Sequence, residues 1–90
     1  MIVEILGKRW RLVFCRFRDE SQLGDCDPPD AKKKQIRISK EIRGEQKLNT
    51  IIHEIGHATA WHVSEEHISK SADSLSAILW KLGLRWTDEE

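Results

Sequence analysis

Alternating hydrophobic and polar residues dominate the first part of the chain, and this pattern predicts β-structure. Residues 1–17 are rich in β-branched and aromatic side chains, and Gly7 lies between two apolar runs where a tight turn belongs. In the second run Trp10, Leu12 and Phe14 share one face, because successive side chains of a strand point to opposite sides. This segment is therefore predicted to form a β-hairpin with one buried face.

A loop and a short strand are predicted to follow the hairpin. Residues 18–34 contain Gly24, two prolines and a run of lysines, a composition typical of a loop. In residues 35–40 the side chains of Ile36 and Ile38 alternate with polar ones, which predicts a third strand. Lysines flank this strand, and charged side chains protect exposed sheet edges from aggregation. We therefore predict that residues 35–40 form an edge strand.

Two amphipathic helices are predicted in the second half, at residues 45–61 and 65–82. Ser64 is placed to cap the second helix, and Gly83 is the residue expected just after its end. Each helix carries an apolar stripe at helical spacing. The stripes consist of Leu48, Ile51, Ile52, Ile55 and Ala58 in the first helix and of Ile68, Ala72, Leu75, Leu79 and Leu82 in the second. The predicted fold class is α+β, with a three-stranded antiparallel or mixed sheet packed by two helices.

Length and charge limit the classes of function. The 90 residues suffice for a single domain spanning 1–90, and 15 Lys and Arg balance 15 Asp and Glu. A generic nucleic-acid binder would carry a basic excess, and no aromatic residues interleave the basic cluster around Lys32–Lys34. No segment is apolar over the length of a bilayer, and residues 1–10 lack the core of a signal peptide. We therefore expect a cytoplasmic protein without a nucleic-acid or membrane partner.

The first predicted helix contains the motif His53-Glu54-Ile55-Gly56-His57. Two histidines four residues apart lie one turn apart on the same side of a helix, so both imidazoles can reach one zinc ion. Glu54 points about 100° round the helix from His53, where it can act on a water molecule without binding the metal. The helical wheel places the apolar stripe roughly opposite the two histidines. We therefore predict metal ligands at His53 and His57 and a general base at Glu54.

A zinc site of this kind needs a third protein ligand, with an open position if the site is catalytic. The candidates downstream are His62, Glu65, Glu66, His67 and Asp73. Glu65 lies about 60° from the centre of the second helix's stripe, whereas His67 lies about 100° and Glu66 about 160° away. Glu65 is therefore the predicted third ligand. Glu66 is the main alternative, ahead of His62 and His67.

With these residues the chain resembles the zincins, the class of HExxH metallopeptidases, and among them the gluzincin branch. It is most similar to very small zincin-like proteins of bacteria and their phages, related in style to the SprT-like and ImmA/IrrE groups. The stretches that carry the resemblance are GDCDPP (24–29), QIRIS (35–39), LNTIIHEIGHATAW (48–61), SEEH (64–67) and LWKLGLRW (79–86). The resemblance implies zinc on His53 and His57, Glu54 as general base and a carboxylate ligand within SEEH. It also implies that an extended substrate pairs with the strand at residues 35–39.

Two functions are compatible with these residues. The first is a zinc-dependent metallopeptidase that hydrolyses a peptide or protein substrate, either latent alone or active with a protein partner. The second is a zinc-stabilised binding or accessory module without peptidase activity. A structural clip gains nothing from a glutamate between the two histidines, so Glu54 favours the enzyme. Many zincins use a tyrosine to stabilise the oxyanion, and this sequence contains no tyrosine.

Overall fold

Four strands and two helices make up the fold in a computed structural model that describes residues 1–88. In chain order they are β1 (Ile2–Ile5), β2 (Lys8–Cys15), β3 (Gly24–Cys26), β4 (Gln35–Ser39), α1 (Gly44–Thr59) and α2 (Glu65–Lys81). The predicted α+β class is therefore confirmed. Within the described part of the chain, neither helix combines the length and apolar character needed to cross a bilayer.

The sheet is mixed, and its strand order is β1-β2-β4-β3. Strands β1 and β2 form the predicted hairpin, and Leu6 and Gly7 at its turn both have positive φ, at 50° and 76°. Two such residues are typical of a type I′ turn, whose twist matches that of the flanking strands. Strand β4 runs parallel to β2 and antiparallel to β3.

Two predictions about the sheet were wrong. The sheet has four strands rather than three, because Gly24–Cys26 forms β3 within the predicted loop 18–34. Gln35–Ser39 is not an edge strand, because β4 lies between β2 and β3. A strand of three residues is too short to show an alternating pattern, so its pairing with β4 was invisible in the sequence. The free edge beside α1 belongs to β3.

The core lies between one face of the sheet and α1. Trp10 and Leu12 of β2 and Ile36 and Ile38 of β4 are buried there, together with Ala58 of α1. These residues occupy the faces that the alternation in β2 and β4 predicted, but Phe14, predicted on the same buried face of β2, is 41% exposed. Helix α2 packs against α1 rather than as a second helix directly on the sheet.

The inward face of α2 differs from its predicted stripe. Ile68 and Ala72 are buried as predicted, but Leu75 and Leu82 are exposed, and Ser76 is buried instead. The reason is a polar contact with α1, where Asn49 donates hydrogen bonds to Asp73 and to Ser76. Ser76 takes an inward position in this part of α2, and Leu75 and Leu82 lie at the surface.

Candidate metal centre

The two histidines of the sequence motif face each other on one side of α1. His53 and His57 lie one turn apart, and their Nε2 atoms are separated by 3.2 Å. The rings meet edge to face with centroids 4.9 Å apart. Both side chains are mostly buried, so the surrounding packing holds the two Nε2 atoms close together.

Glu65, in the first turn of α2, completes this group. Its Oε1 lies 2.8 Å from Nε2 of His53, and its Oε2 lies 2.7 Å from Nε2 of His57. Ser64 caps the helix as predicted, because its Oγ accepts a hydrogen bond from the amide of His67. The cap fixes where α2 begins and therefore where the Glu65 side chain leaves the backbone.

Close packing of the two helices brings these three side chains together. Gly56 immediately precedes His57, and a Cβ atom at this position would lie 3.3 Å from Cγ2 of Ile68. Ile68 lies one turn after Glu65 and is buried against α1. The absence of a side chain at Gly56 therefore allows the first turn of α2 to approach the histidines.

The donor set fits a single metal ion. One ligand atom each from His53, His57 and Glu65 can be chosen so that all lie within 4.8 Å of one another. Tetrahedral zinc–nitrogen bonds of about 2.0–2.1 Å would place neighbouring ligand atoms about 3.3 Å apart, close to the separation of the two Nε2 atoms. The Glu65 oxygens, at 2.7 and 2.8 Å from the two nitrogens, would move apart from them slightly to admit an ion.

The other candidate ligands lie apart from this group. Glu66 forms an exposed ion pair with Lys70 one turn along α2. Asp73 accepts a hydrogen bond from Asn49. His62 and His67 are exposed and do not join the group that could hold a metal. Of the two glutamates that the sequence left open, the structure brings Glu65 to the histidines.

Glu54 is buried between α1 and β3, with 7% of its surface exposed. A Cβ atom at Gly24 would lie 3.1 Å from Cγ of Glu54 and 3.0 Å from Cγ2 of Thr50, so this glycine lets β3 approach α1 closely. Burial raises the pKa of Glu54 to about 7, and the negative charges of Asp25 and Glu65 add to this effect. The carboxyl group is therefore poised to take or release a proton near neutral pH.

The candidate ligands His53, His57 and Glu65 border one open cavity of about 350 Å³, together with Glu54. Its wall is formed by the residues of β3, the motif helix, the turn after α1 and the start of α2. They are Gly24, Asp25, Cys26, His53, Glu54, His57, Trp61 and Glu65. Sequence reasoning missed β3 and Trp61 as parts of this wall. The stretch GDCDPP was noted only for its resemblance, and no periodicity marks a strand this short.

Strand β3 is held in place from its other face by Arg37 of β4. The guanidinium donates hydrogen bonds to Asp25 and Asp27, and it also contacts Gln35. Hydrogen bonding to Arg37 holds the pKa of Asp27 below its ordinary value. The Asp27 carboxylate also accepts from the amide of Gln35, so it braces the β3–β4 pair.

Cys26 borders the cavity but does not join the ligand group. Both cysteines of the chain, Cys15 and Cys26, are free thiols. Burial raises the pKa of Cys26 to about 12, with a further contribution from Glu54, Asp27 and Asp25. Its Sγ lies 3.3 Å from the main-chain oxygen of Asp27 and can donate a hydrogen bond to it. This thiol is therefore protonated at neutral pH in the metal-free chain.

A second, larger cavity of about 700 Å³ lies beside the segment after β2. It is bordered by Arg16, Phe17, Arg18, Asp19, Glu20, Gln22, Ser39 and Glu41. Among residues 1–88, the group of three that could hold a metal is His53, His57 and Glu65, and these side chains do not border this cavity. The candidate chemistry is therefore at the smaller cavity.

No protein-family model, curated protein or solved structure matches the chain. The likeness to zincins consequently stays a prediction, and the candidate function depends on the geometry of the site.

Proposed function

We propose that the protein is a zinc-dependent metallopeptidase. The observation that carries the proposal is the convergence of His53, His57 and Glu65 next to a buried Glu54. Two imidazoles and one carboxylate form a common ligand set of catalytic zinc, and three protein ligands leave a position for water or substrate. Iron, manganese, cobalt and nickel accept overlapping ligand sets, so metal analysis is part of the test.

Zinc held by these residues supplies Lewis-acid polarisation of a carbonyl and activation of water near neutral pH. The proton transfers belong to Glu54. Its carboxylate accepts the proton of the attacking water and passes it to the nitrogen of the departing amine. A pKa raised to about 7 suits both halves of this transfer. Burial between β3 and α1 restricts the carboxylate to the cavity side of the helix.

The substrate in this proposal is an extended peptide aligned with β3. The resemblance to zincins implies this role for residues 35–39, but β4 is an interior strand and has no free edge. In the β3–β4 pair, Leu23 and Asp27 form hydrogen bonds with Ser39 and Gln35. Because bonding residues alternate along an antiparallel pair, the main-chain groups of Gly24 and Cys26 point to the free edge. A peptide can add to this edge next to the metal ligands.

The variant Glu54→Gln tests the proposal most directly. It keeps the size of the side chain and the metal ligands but removes the proton acceptor, so peptide hydrolysis should fall at least about 100-fold. Zinc content should stay at that of the unmodified chain, measured by elemental analysis. The control Glu66→Gln changes an exposed glutamate that contacts Lys70, and it should leave hydrolysis unchanged.

Mass spectrometry of products from a library of unstructured peptides would report the hydrolysis. Equal cleavage by Glu54→Gln and the unmodified chain would refute the role of Glu54. A chain that takes up no zinc when zinc is supplied would refute the metal centre itself.

One observation favours a second candidate, a zinc-stabilised binding module. Cys26 borders the same cavity, and a thiolate there would close the site with a fourth protein ligand. Its raised pKa and its contact with the oxygen of Asp27 favour the open, catalytic arrangement. Cobalt substitution separates the two, because a thiolate ligand adds an intense sulfur-to-metal absorption band. This band should be absent from the unmodified chain, and its presence would favour the binding module.

The proposal places the protein in the cytoplasm. Cys15 and Cys26 are free thiols in the structure. Free cysteines are typical of proteins that function in a reducing compartment.

A further inference from the structure

Trp61 differs in character from the rest of the cavity wall. The other side chains there are titratable or, at Gly24, absent, whereas Trp61 offers a large apolar surface. It lies in the turn after α1, where the amide of Ala60 bonds to the oxygen of Gly56 and the amide of Val63 bonds to the oxygen of Ala60. These hydrogen bonds fix the backbone on both sides of the tryptophan.

The indole uses only part of its surface within the protein. Its edge meets the ring of His57 with centroids 6.3 Å apart and planes inclined by 68°. Even so, 39% of the residue is exposed, in contrast to Trp10, which is 2% exposed in the core. Apolar surface in water is unfavourable by roughly 25 cal/mol per Å². A ligand that covers this indole next to a metal ligand therefore gains binding energy.

We propose that Trp61 forms an apolar subsite beside the metal centre, and that it selects substrates with a bulky apolar or aromatic side chain next to the cleaved bond. This inference rests on the proposed metallopeptidase function and adds the class of substrate. Aromatic pairs gain stabilisation beyond the burial of their surface, which favours an aromatic side chain at this position.

A basic side chain fits the subsite less well, although acidic residues border the cavity. Asp25 is bound to Arg37, and Glu65 is bound to the two histidines or to their metal. Glu54 is packed against β3, with only 7% of its surface exposed. A divalent cation at the histidines would repel a second positive charge nearby. These engaged carboxylates leave the exposed indole as the feature that a substrate side chain can recognise.

Binding of small hydroxamates to the zinc-loaded full chain tests the subsite without requiring hydrolysis. Hydroxamates bind zinc through their oxygens, so acetohydroxamate measures the metal centre alone. Phenylpropanohydroxamate adds an aromatic group, and 6-aminohexanohydroxamate adds a cation. In the unmodified chain, the aromatic compound should bind about tenfold more tightly than acetohydroxamate. The cationic compound should show no such gain.

The gain is the ratio of the two affinities measured within one variant, and it should disappear in Trp61→Ala and in Trp61→Gln, which keeps more of the side-chain volume. Trp61→Phe should retain most of it. The control Trp80→Phe alters a tryptophan of α2 that contacts Arg85 and does not border the cavity, and it should leave the gain intact.

Each other outcome has a definite meaning. A gain that persists in both Trp61→Ala and Trp61→Gln would overturn the subsite while leaving the metal centre in place, and so would tighter binding of the cationic compound. If the unmodified chain takes up zinc but fails to bind acetohydroxamate, the open metal position is absent. The proposed function then fails together with the subsite.

Discussion

The two ends of the α1–α2 pair are held together in different ways. At the metal-centre end, close packing of Gly56 against Ile68 brings the helices together, and polar side chains are directed at one another across the gap. At the opposite end, Asn49 of α1 reaches Asp73 and Ser76 of α2 through hydrogen bonds. The first contact is steric and apolar, whereas the second is polar.

The contacts at the two ends therefore control different features of the helix pair. The two hydrogen bonds at the far end join Asn49 to Asp73 and Ser76, on a part of α2 where Leu75, Ile78 and Leu82 are exposed. The apolar contact at the near end determines how close the helices come, to within the reach of a metal ion. The polar side chains at the near end contact one another across the helices and are placed to bind a ligand. Changes at the two ends should consequently affect different measurements.

The largest difference between the ends should come from removing a ligand. His57→Ala deletes one of three donors, so zinc affinity should fall more than about 100-fold, beyond the typical effect of losing a residue that only supports a ligand. Asn49→Ala should change zinc affinity less than about threefold, because it acts at the far end. Competition with a chromophoric chelator measures both. Equal zinc affinity in His57→Ala and the unmodified chain would exclude the site.

Widening the gap at the near end should weaken the site without removing a ligand. In Gly56→Val the added atoms meet Ile68, which has little room to move, so α2 shifts away from the histidines. We expect zinc affinity to fall about tenfold, since misplaced ligands retain part of their binding.

Ser74→Val is the matched control for this change, because it adds a valine to an exposed position of α2. It should leave zinc affinity unchanged. Similar affinities in Gly56→Val and Ser74→Val would show that the close approach does not determine the site.

At the far end, stability rather than metal binding should respond. Asn49→Ala removes hydrogen bonds to Asp73 and to Ser76, which is 1% exposed. Loss of a partner to a buried polar group costs about 1–3 kcal/mol, and Ser76 retains a bond to the main-chain oxygen of Asp73. We expect the free energy of unfolding to fall by an amount near the lower limit, about 1 kcal/mol, in urea denaturation of the metal-free chain. A loss of zinc affinity larger than the loss of stability would contradict the separation of the two ends.

The smallest effect should come from the support of β3 at the near end. Hydrogen bonding to Arg37 holds the pKa of Asp27 below 3.8 in the folded chain, so this pair stabilises the fold at pH values above the unfolded pKa. The contribution is lost as pH falls below about 4 and the carboxylate takes up a proton. Asp27→Asn should therefore lower the free energy of unfolding at neutral pH. The difference in free energy of unfolding between this variant and the unmodified chain should be smaller in acid, as measured by denaturation at about pH 7 and pH 3.

The sequence predicted strand β2 and both helices, each of which has a periodic pattern over many residues, although the inward face of α2 was only partly correct. Alternation in β2 and helical spacing in α1 located Trp10, Leu12 and Ala58, all of which are buried. The predicted helix ends lie close to the observed ones. Helix α1 ends at Thr59, against a prediction of 61, and α2 ends at Lys81, against a prediction of 82. Strand β3 could not be predicted, because its existence depends on pairing with β4 rather than on its own three residues.

Within the candidate site, residue spacing in the sequence predicted which side chains share a face. The tertiary packing around them could not be predicted from it. A spacing of four positions places His53 and His57 on a common helix face, and the angle of Glu65 on α2 predicted that it faces α1. The burial of Glu54 depends on how closely β3 approaches at Gly24, which no spacing in the chain encodes. Trp61 follows the end of α1, where helical geometry no longer predicts direction.

The three side chains of the candidate metal centre all come from residues 53–65, so an ion there would join neighbours in the chain. Closing such a short segment removes little chain entropy from the unfolded state, and the ion would act on local opening more than on global unfolding. In hydrogen exchange, chelation should speed exchange of the amides at the start of α2. Exchange at Ile36 and Ile38, which form the buried centre of the sheet, should stay slow. The metal would thus set how often the two helices separate at the cavity, and hence how often its wall opens to solvent.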